Sequence, residues 1–336
     1  MRLSGCRLFC VLALASGFSP ALAQAQDATP QEDDKAIISA VFENDLFANT
    51  DQNYTNGLRL SWLSSENRVP VWVKDVSHRL FPYAPQAKKR IGISVGQNMY
   101  TPRDLTRRDL IVDDRPYAGW LYGSIGVVSD TGSRLDNAML TLGVVGPASY
   151  ARQTQRFVHR VVDSTIPQGW DNQLENEPGI VLTWERKWRA LYQFSPFGAG
   201  VDISPHIGAN LGNIFTDAAA GATVRLGFDL PADYGPPRIR PSLPGSDFFV
   251  PTQEIGGYLF AGAEGRVVGR NIFLDGNSFR DSHDVDKRYG VGSLQAGAAL
   301  TYESMRLSYT HVFMTREFKG QAEAPQFGAL TLSVRF

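Results

Sequence analysis

Ala329-Leu330-Thr331-Leu332-Ser333-Val334-Arg335-Phe336 alternates without a break. Leu330, Leu332, Val334 and Phe336 share one face of an extended chain, and Ala329, Thr331, Ser333 and Arg335 share the other. A strand with one greasy face and one small or polar face suits a sheet that separates two media. The same split recurs upstream. Leu58, Leu60 and Trp62 oppose Gly57, Arg59 and Ser61; Ala138, Leu140, Leu142 and Val144 oppose Asn137, Thr141 and Gly143. Leu294 to Tyr302 and Met305 to Phe313 repeat it.

About twelve such segments start near residues 36, 54, 88, 117, 136, 178, 199, 216, 254, 290, 304 and 326. Each is long enough for a tilted strand to cross a bilayer, roughly ten residues. Asp-Gly, Asn-Gly and Pro clusters separate many of them. An aromatic residue closes the last amphipathic strand, an ending that resembles the assembly signal of outer-membrane barrels. The expected fold is an all-β transmembrane antiparallel barrel of about 12 strands. A soluble two-sheet sandwich also alternates. The strand lengths and the polar, Gly-rich inward face count against it, and closure removes the unpaired edges that hydrocarbon would not tolerate.

Composition agrees. Lys+Arg number 33 and Asp+Glu 34, so nothing suggests phosphate tracking along nucleic acid. The 43% hydrophobic content excludes disorder, yet no internal run of ~20 apolar residues forms a spanning helix. Residues 1–23 read as a signal peptide: Arg2 and Arg7, the apolar run Leu8 to Phe18, then Ala21-Leu22-Ala23. An N-terminal anchor helix is the alternative, but the run is short for a bilayer. Residues 24–336 then form a single barrel domain. Cys6 and Cys10 both fall in the leader, which leaves that domain without a thiol for a disulfide, a metal or a nucleophile.

One segment has helical spacing instead. Over about 152–164, Phe157, Val158, Val161 and Val162 lie on one side, Ser149 offers a cap, and Pro167 follows. Gln155, His159 and Asp163 form one stripe at i, i+4, i+8. There is no H-E-x-x-H or Walker loop. Of His78, His159, His206, His283 and His311, His159 alone sits on a helix beside polar partners at helical spacing, although a single such histidine is more often surface or structural.

The first strand ends Phe42-Glu43-Asn44-Asp45. Either the strand stops there or a bulge re-aims a side chain. Thr55, Gly57, Arg59 and Ser61 share the inward phase after Asp51-Gln52-Asn53-Tyr54; the bland reading is a polar hairpin turn. Asp45 with carbonyls near Thr55 and Gly57 would make an all-oxygen site suited to a hard cation such as calcium. Asp113-Asp114-Arg115-Pro116-Tyr117-Ala118-Gly119-Trp120 reads as a rim turn or lid. Lys88-Lys89-Arg90 and Arg103 with Arg107-Arg108 read as rim charge or as contacts to phosphorylated head groups.

Asn44-Asp45, Tyr54-Thr55-Asn56-Gly57, Asp114-Arg115-Pro116-Tyr117-Ala118-Gly119, Gly146-Pro147, the Gln155…His159 helix and Gly169-Trp170-Asp171-Asn172-Gln173 occur in order over nearly the whole chain. In this the sequence resembles the outer-membrane lipid A 3′-O-deacylase family. The resemblance implies a twelve-stranded barrel and a calcium-dependent esterase that removes the 3′-linked acyloxyacyl chain of lipid A (lipopolysaccharide) among the outer-membrane lipids. It implies His159 as base, Gln155, Asn44 and Thr55 as active-site polar residues, and Asp45 with the carbonyls of Thr55 and Gly57 as calcium ligands. The family's further glutamate ligand has no counterpart here: Ser164 and Thr165 stand in its place, with Asp163 the nearest acid. An outer-membrane phospholipase and a non-enzymatic, porin-like barrel are the alternatives.

Overall fold

The computed structural model describes residues 35–45, 53–84, 86–161, 163–195, 199–235 and 247–336. The expected signal peptide, Asp51, Gln52 and Val162 lie outside these residues. Among the described residues thirteen strands form one antiparallel sheet: β1 Ile37–Asn44, β2 Asn53–Leu63, β3 Lys88–Thr101, β4 Ala118–Asp130, β5 Arg134–Val145, β6 Glu177–Trp188, β7 Tyr192–Phe194, β8 Gly200–Gly212, β9 Phe215–Phe228, β10 Ile255–Asn271, β11 Gly290–Tyr302, β12 Met305–Met314 and β13 Gln326–Arg335. Neighbours in sequence pair, β1 pairs with β13, and β6 pairs with β8, so the sheet closes. The three-residue β7 only extends the β6 side of β8 past an irregular turn, where Ala190 has φ 45. Twelve long strands therefore make the wall of a closed barrel.

The alternating faces sort as the sequence implies, inside out relative to a soluble protein. Leu60, Val95, Leu142, Leu182, Leu259 and Leu332 are exposed on the outer wall. In water each such leucine would forgo about 2 kcal/mol of burial, so the belt belongs in lipid. Tyr192, Phe194, Phe228, Tyr302 and Phe336 are exposed at the end that holds the termini and form an interfacial girdle there.

The lumen is packed. At the terminal end, the described parts of the β9–β10 connection turn inward. Phe248 and Phe249 join Ile37, Leu63, Val128 and Leu135 in one buried cluster. Asp233 in the same connection pairs with Arg225 and with Arg306 (2.8 Å), all three buried. At the far end, Tyr54, Tyr100, Trp120, Phe215, Phe273 and Phe327 fill the bore, with Tyr100 stacked on Phe273 at 3.9 Å between centroids.

Among the described residues two helices lie outside the wall. α1 (Val71–Leu80) buries Val73 and Ser77 against β3 and β4 near the terminal end and exposes Val71 and Trp72. α2 (Ala151–Val161) rests on β3 and β4 at the far end. A short α3 (Ile272–Asp275) caps β10.

Several expectations need correction. The helix ends at Val161, not near 164, and Asp163 follows in the left-handed region at φ 54. Ser149 is not a helix cap; it ends a 3-10 turn and donates to the Gly146 carbonyl at 2.6 Å. Lys88-Lys89-Arg90 is not a loop cluster on the rim. It opens β3 at the terminal end, where Arg90 is buried and donates to the Ser64 carbonyl (2.7 Å), while Lys89 donates to Ser129 (2.7 Å).

Candidate active site

The first strand does stop at Asn44, which pairs with Asn56 of β2 and Gly328 of β13. Asn44 carries the outward phase of β1, yet it is buried. Asp45, just past the strand, has no exposed surface. On β2 a bulge falls between Tyr54 and Asn56, because Tyr54 pairs with Tyr100 and Asn56 with Met99. The extra residue is Thr55. Tyr54 stays on the luminal side, against Phe327 and hydrogen-bonded to Glu43. Thr55 is turned out of the inward phase expected for it and meets Thr101, hydroxyl to hydroxyl, at 2.6 Å. Bulges commonly re-aim a side chain in this way.

α2 covers this patch of wall. Gly119 on β4 lets it approach: a Cβ there would overlap Ala151 and Ser149. The Gly119 carbonyl takes the Gly146 N–H at 3.0 Å, and Gly146 itself needs the φ of 95 that only glycine adopts freely. Gln97 of β3 donates to the Ser149 carbonyl at 2.5 Å. With the helix held there, Gln155 and His159 point at the wall and Phe157 and Val161 point away from it.

Asn44, Thr55, Asn56, Met99, Gln155, Val158 and His159 line one small cleft between α2 and strands β1 to β3. All four residues expected to be catalytic are among them. Of the expected cation ligands, Thr55 lines the cleft and Asp45 adjoins Asn44. Gly57 sits against Tyr54 and Glu43 on the luminal side, and Asp163 is exposed and outside the lining.

Two partners that sequence spacing did not single out fix the key groups. The His159 Nδ1 lies 2.6 Å from the Thr165 carbonyl. A carbonyl only accepts, so Nδ1 carries the proton and Nε2 is the basic nitrogen of the neutral ring. The Trp170 indole N–H donates to Gln155 Oε1 at 2.7 Å. An indole only donates, which fixes the amide orientation and leaves Nε2 as the group toward the cleft. That Nε2 is buried and makes no hydrogen bond among the described residues. A buried donor without a partner costs about 1–3 kcal/mol, a penalty that a bound acceptor would relieve.

The donor set near Asp45 matches a hard cation in kind. One buried carboxylate, a threonine and strand carbonyls are oxygen donors of the right kind. Among the described residues no group of three acidic, His or Cys side chains stands together. A cation here would therefore depend on Asp45 and on main-chain oxygens.

The far rim is latched by the Asp114-Arg115 stretch. Arg115 pairs with Glu317 at 2.5 Å, His283 donates to the Asp114 carbonyl at 2.7 Å, and Asp114 takes the Arg103 N–H at 2.9 Å. This is a structural rim turn that joins three loops.

A closed twelve-strand barrel with an apolar belt and a helix-covered cleft on its wall defines a bacterial outer-membrane β-barrel protein. The chain belongs to the LpxR family: the family model described as outer membrane protein LpxR matches residues 8–336. Among solved structures it is similar to LpxR from Salmonella typhimurium, with a TM-score of 0.72, 20% identity, 90% of this chain and 100% of that chain covered. A more remote similarity is to the β domain of the Bordetella autotransporter BrkA, with a TM-score of 0.42 and 9% identity over 89% of this chain and 98% of that one. No curated relative matches the sequence.

Proposed function

We infer that this barrel is a lipid A 3′-O-deacylase that hydrolyses its ester by a histidine-activated water. Family membership supports the substrate class. The observation that carries the chemistry is the meeting of Asn44, Thr55, Gln155 and His159 in one cleft on the lipid-facing side of the wall. An acyl chain can run along the outer wall while its ester reaches the cleft. The end that carries α2 is then the outer-leaflet end.

His159 Nε2 takes a proton from water as the water attacks the ester carbonyl, and the Thr165 carbonyl stabilises the imidazolium through Nδ1–H. The proton then passes to the leaving alkoxide. Gln155 Nε2 donates to the oxyanion of the tetrahedral intermediate, and Asn44 offers a second amide. No covalent nucleophile is required. Asp45 with the carbonyls of Thr55 and Gly57 would hold a calcium ion, which when bound polarises the ester carbonyl. The packed lumen argues against the porin-like reading, since aromatic and ion-paired residues occupy both ends of the bore.

The test is mass spectrometry of lipid A from a Gram-negative host that expresses the protein. The wild type should release one acyloxyacyl unit, and His159→Ala should not, while still inserting as a heat-modifiable barrel. Equal deacylation by His159→Ala would remove the base from the mechanism. Loss of acyl chains from phospholipids with lipid A intact would favour the phospholipase reading.

A further inference from the structure

α2 carries a second row beside the cleft row. Arg152, Arg156 and Arg160 follow at i, i+4, i+8, each one residue after Ala151, Gln155 and His159. The two rows therefore run parallel along the helix, about 100° apart. The third side bears Phe157 and Val161, 66% and 69% exposed, and faces lipid. α2 holds no acidic residue. Like charges at i, i+4 destabilise a helix by a few tenths of a kcal/mol per pair. A helix at a lipid interface with such a row needs anions from outside itself.

Arg152 shows where the row faces. Its Nη1 lies 2.6 Å from Asp171 in the turn after α2. That turn rests on the β3–β4 loop: the Asn172 amide donates to the Arg108 carbonyl at 2.6 Å, and the Gln168 N–H to the Leu105 carbonyl at 2.8 Å. Arg107 and Arg108 are exposed on the same rim. Its acids are partly engaged. Asp171 is paired with Arg152. Asp113 takes Arg103 at 2.9 Å, and this bond holds its carboxyl below the usual range. Asp104 takes the Thr106 hydroxyl and N–H, with the same effect. Asp109 stays exposed. Arg156 is half-buried, and its Nε is buried without a hydrogen bond among the described residues. Arg160 is exposed.

We propose that Arg156 is a binding residue for a phosphate monoester on the headgroup of the amphiphile whose ester reaches Gln155 and His159. A guanidinium presents a planar fork that fits phosphate oxygens in a bidentate way, and partial burial strengthens the bond. Its place next to Gln155 on the helix sets the phosphate beside the scissile ester, so the same contact orients the sugar. The assignment rests on the reading that the cleft takes a phosphorylated glycolipid.

The test compares bis-phosphorylated lipid A with the same lipid after phosphatase treatment, using the full-length protein purified in detergent. For the wild type, KM should be about tenfold lower for the phosphorylated form. Arg156→Ala should bring that ratio near one, Arg156→Lys should leave part of it, and Arg160→Ala should keep it. Retention of the ratio in Arg156→Ala overturns the proposal. So does an equal fall in Arg156→Ala and Arg160→Ala, which would mean general surface charge. Calorimetric binding of both lipids to His159→Ala, with and without Arg156→Ala, separates this assignment from the hydrolase reading. Arg156-dependent preference without hydrolysis by the wild type would leave the site and remove the reaction; hydrolysis without preference would do the reverse. Inorganic phosphate that binds through Arg156 as tightly as the lipid would assign the site to free phosphate and overturn the headgroup assignment.

Discussion

Trp170 decides which end of the Gln155 amide faces the cleft. The indole N–H lies 2.7 Å from Gln155 Oε1, both side chains are almost fully buried, and the amide nitrogen is left toward His159's side of the helix. Trp170→Phe keeps the ring but removes the donor, so the amide is free to flip. Hydrolysis of lipid A should fall about tenfold, with the barrel intact by heat-modifiability. Gln155→Glu removes the donor itself and should lower kcat by roughly 10²–10³, the usual effect of losing one oxyanion donor. Wild-type kcat in Gln155→Glu would exclude the amide from catalysis.

Gly119 is the contact that seats α2. A larger side chain there would overlap Ala151 and Ser149 and lift the helix from β4. Gly119→Val should leave the barrel closed but lower activity by about 10²-fold, because a shift near 1 Å at the reacting groups costs that much. Circular dichroism would report the strands and lipid A mass spectrometry the activity. A fully active Gly119→Val would mean that the cleft does not need α2 in this position.

The proposed calcium site at Asp45 makes a prediction about the ion. Excess chelator should stop hydrolysis and added calcium should restore it. Asp45→Asn removes a buried carboxylate beside the cleft and should raise the calcium needed for half-maximal rate at least about tenfold, since the charge of the ligand set governs affinity. Unchanged rates in chelator would take the ion out of the reaction.

The β9–β10 connection that plugs the lumen at the terminal end depends on a buried charge cluster. Asp233 pairs with both Arg225 and Arg306, Asp202 also pairs with Arg225 at 2.5 Å, and the Tyr258 hydroxyl donates to Asp233 at 3.1 Å. Asp233→Ala leaves two arginines without that carboxylate. Unfolding in urea should show a loss of about 3–5 kcal/mol, typical of a broken buried pair. A change below ~1 kcal/mol would mean that the β9–β10 connection contributes little to stability.

Alkaline pH should loosen the same plug. The Tyr234 phenol donates to Asp130 at 2.5 Å, and burial followed by the Asp130 charge raises its pKa. A raised folded pKa means that this stability is fully present below the unfolded tyrosine value, about 10, and is lost as pH rises beyond it. Tyr234→Phe should show a shallower fall in urea stability above that pH than the wild type does. Identical slopes would count against the hydrogen bond as the cause.

Period-two patterning was enough for the barrel. Leu330, Leu332 and their equivalents repeat on every long strand, the predicted strand starts fall within two residues of the observed ones, and lipid explains why the greasy face is outside. The i, i+4 spacing of Gln155 and His159 likewise set them on one helix face. That information is local, because side-chain direction follows from φ/ψ periodicity alone. What local pattern does not encode is an extra residue in a register or a contact between distant segments. The bulge that turns Thr55 out of the luminal phase comes from the pairing of β2 with β3. The Thr165 carbonyl reaches His159 only because the chain reverses after Val161, and Trp170 reaches Gln155 only because the following turn folds back onto α2. The burial of Lys89 and Arg90 required the neighbouring strands and loops that accept their hydrogen bonds. Alternation thus determined which medium each strand face meets, whereas the close approach of α2 to Gly119 decided where on the wall those polar side chains converge.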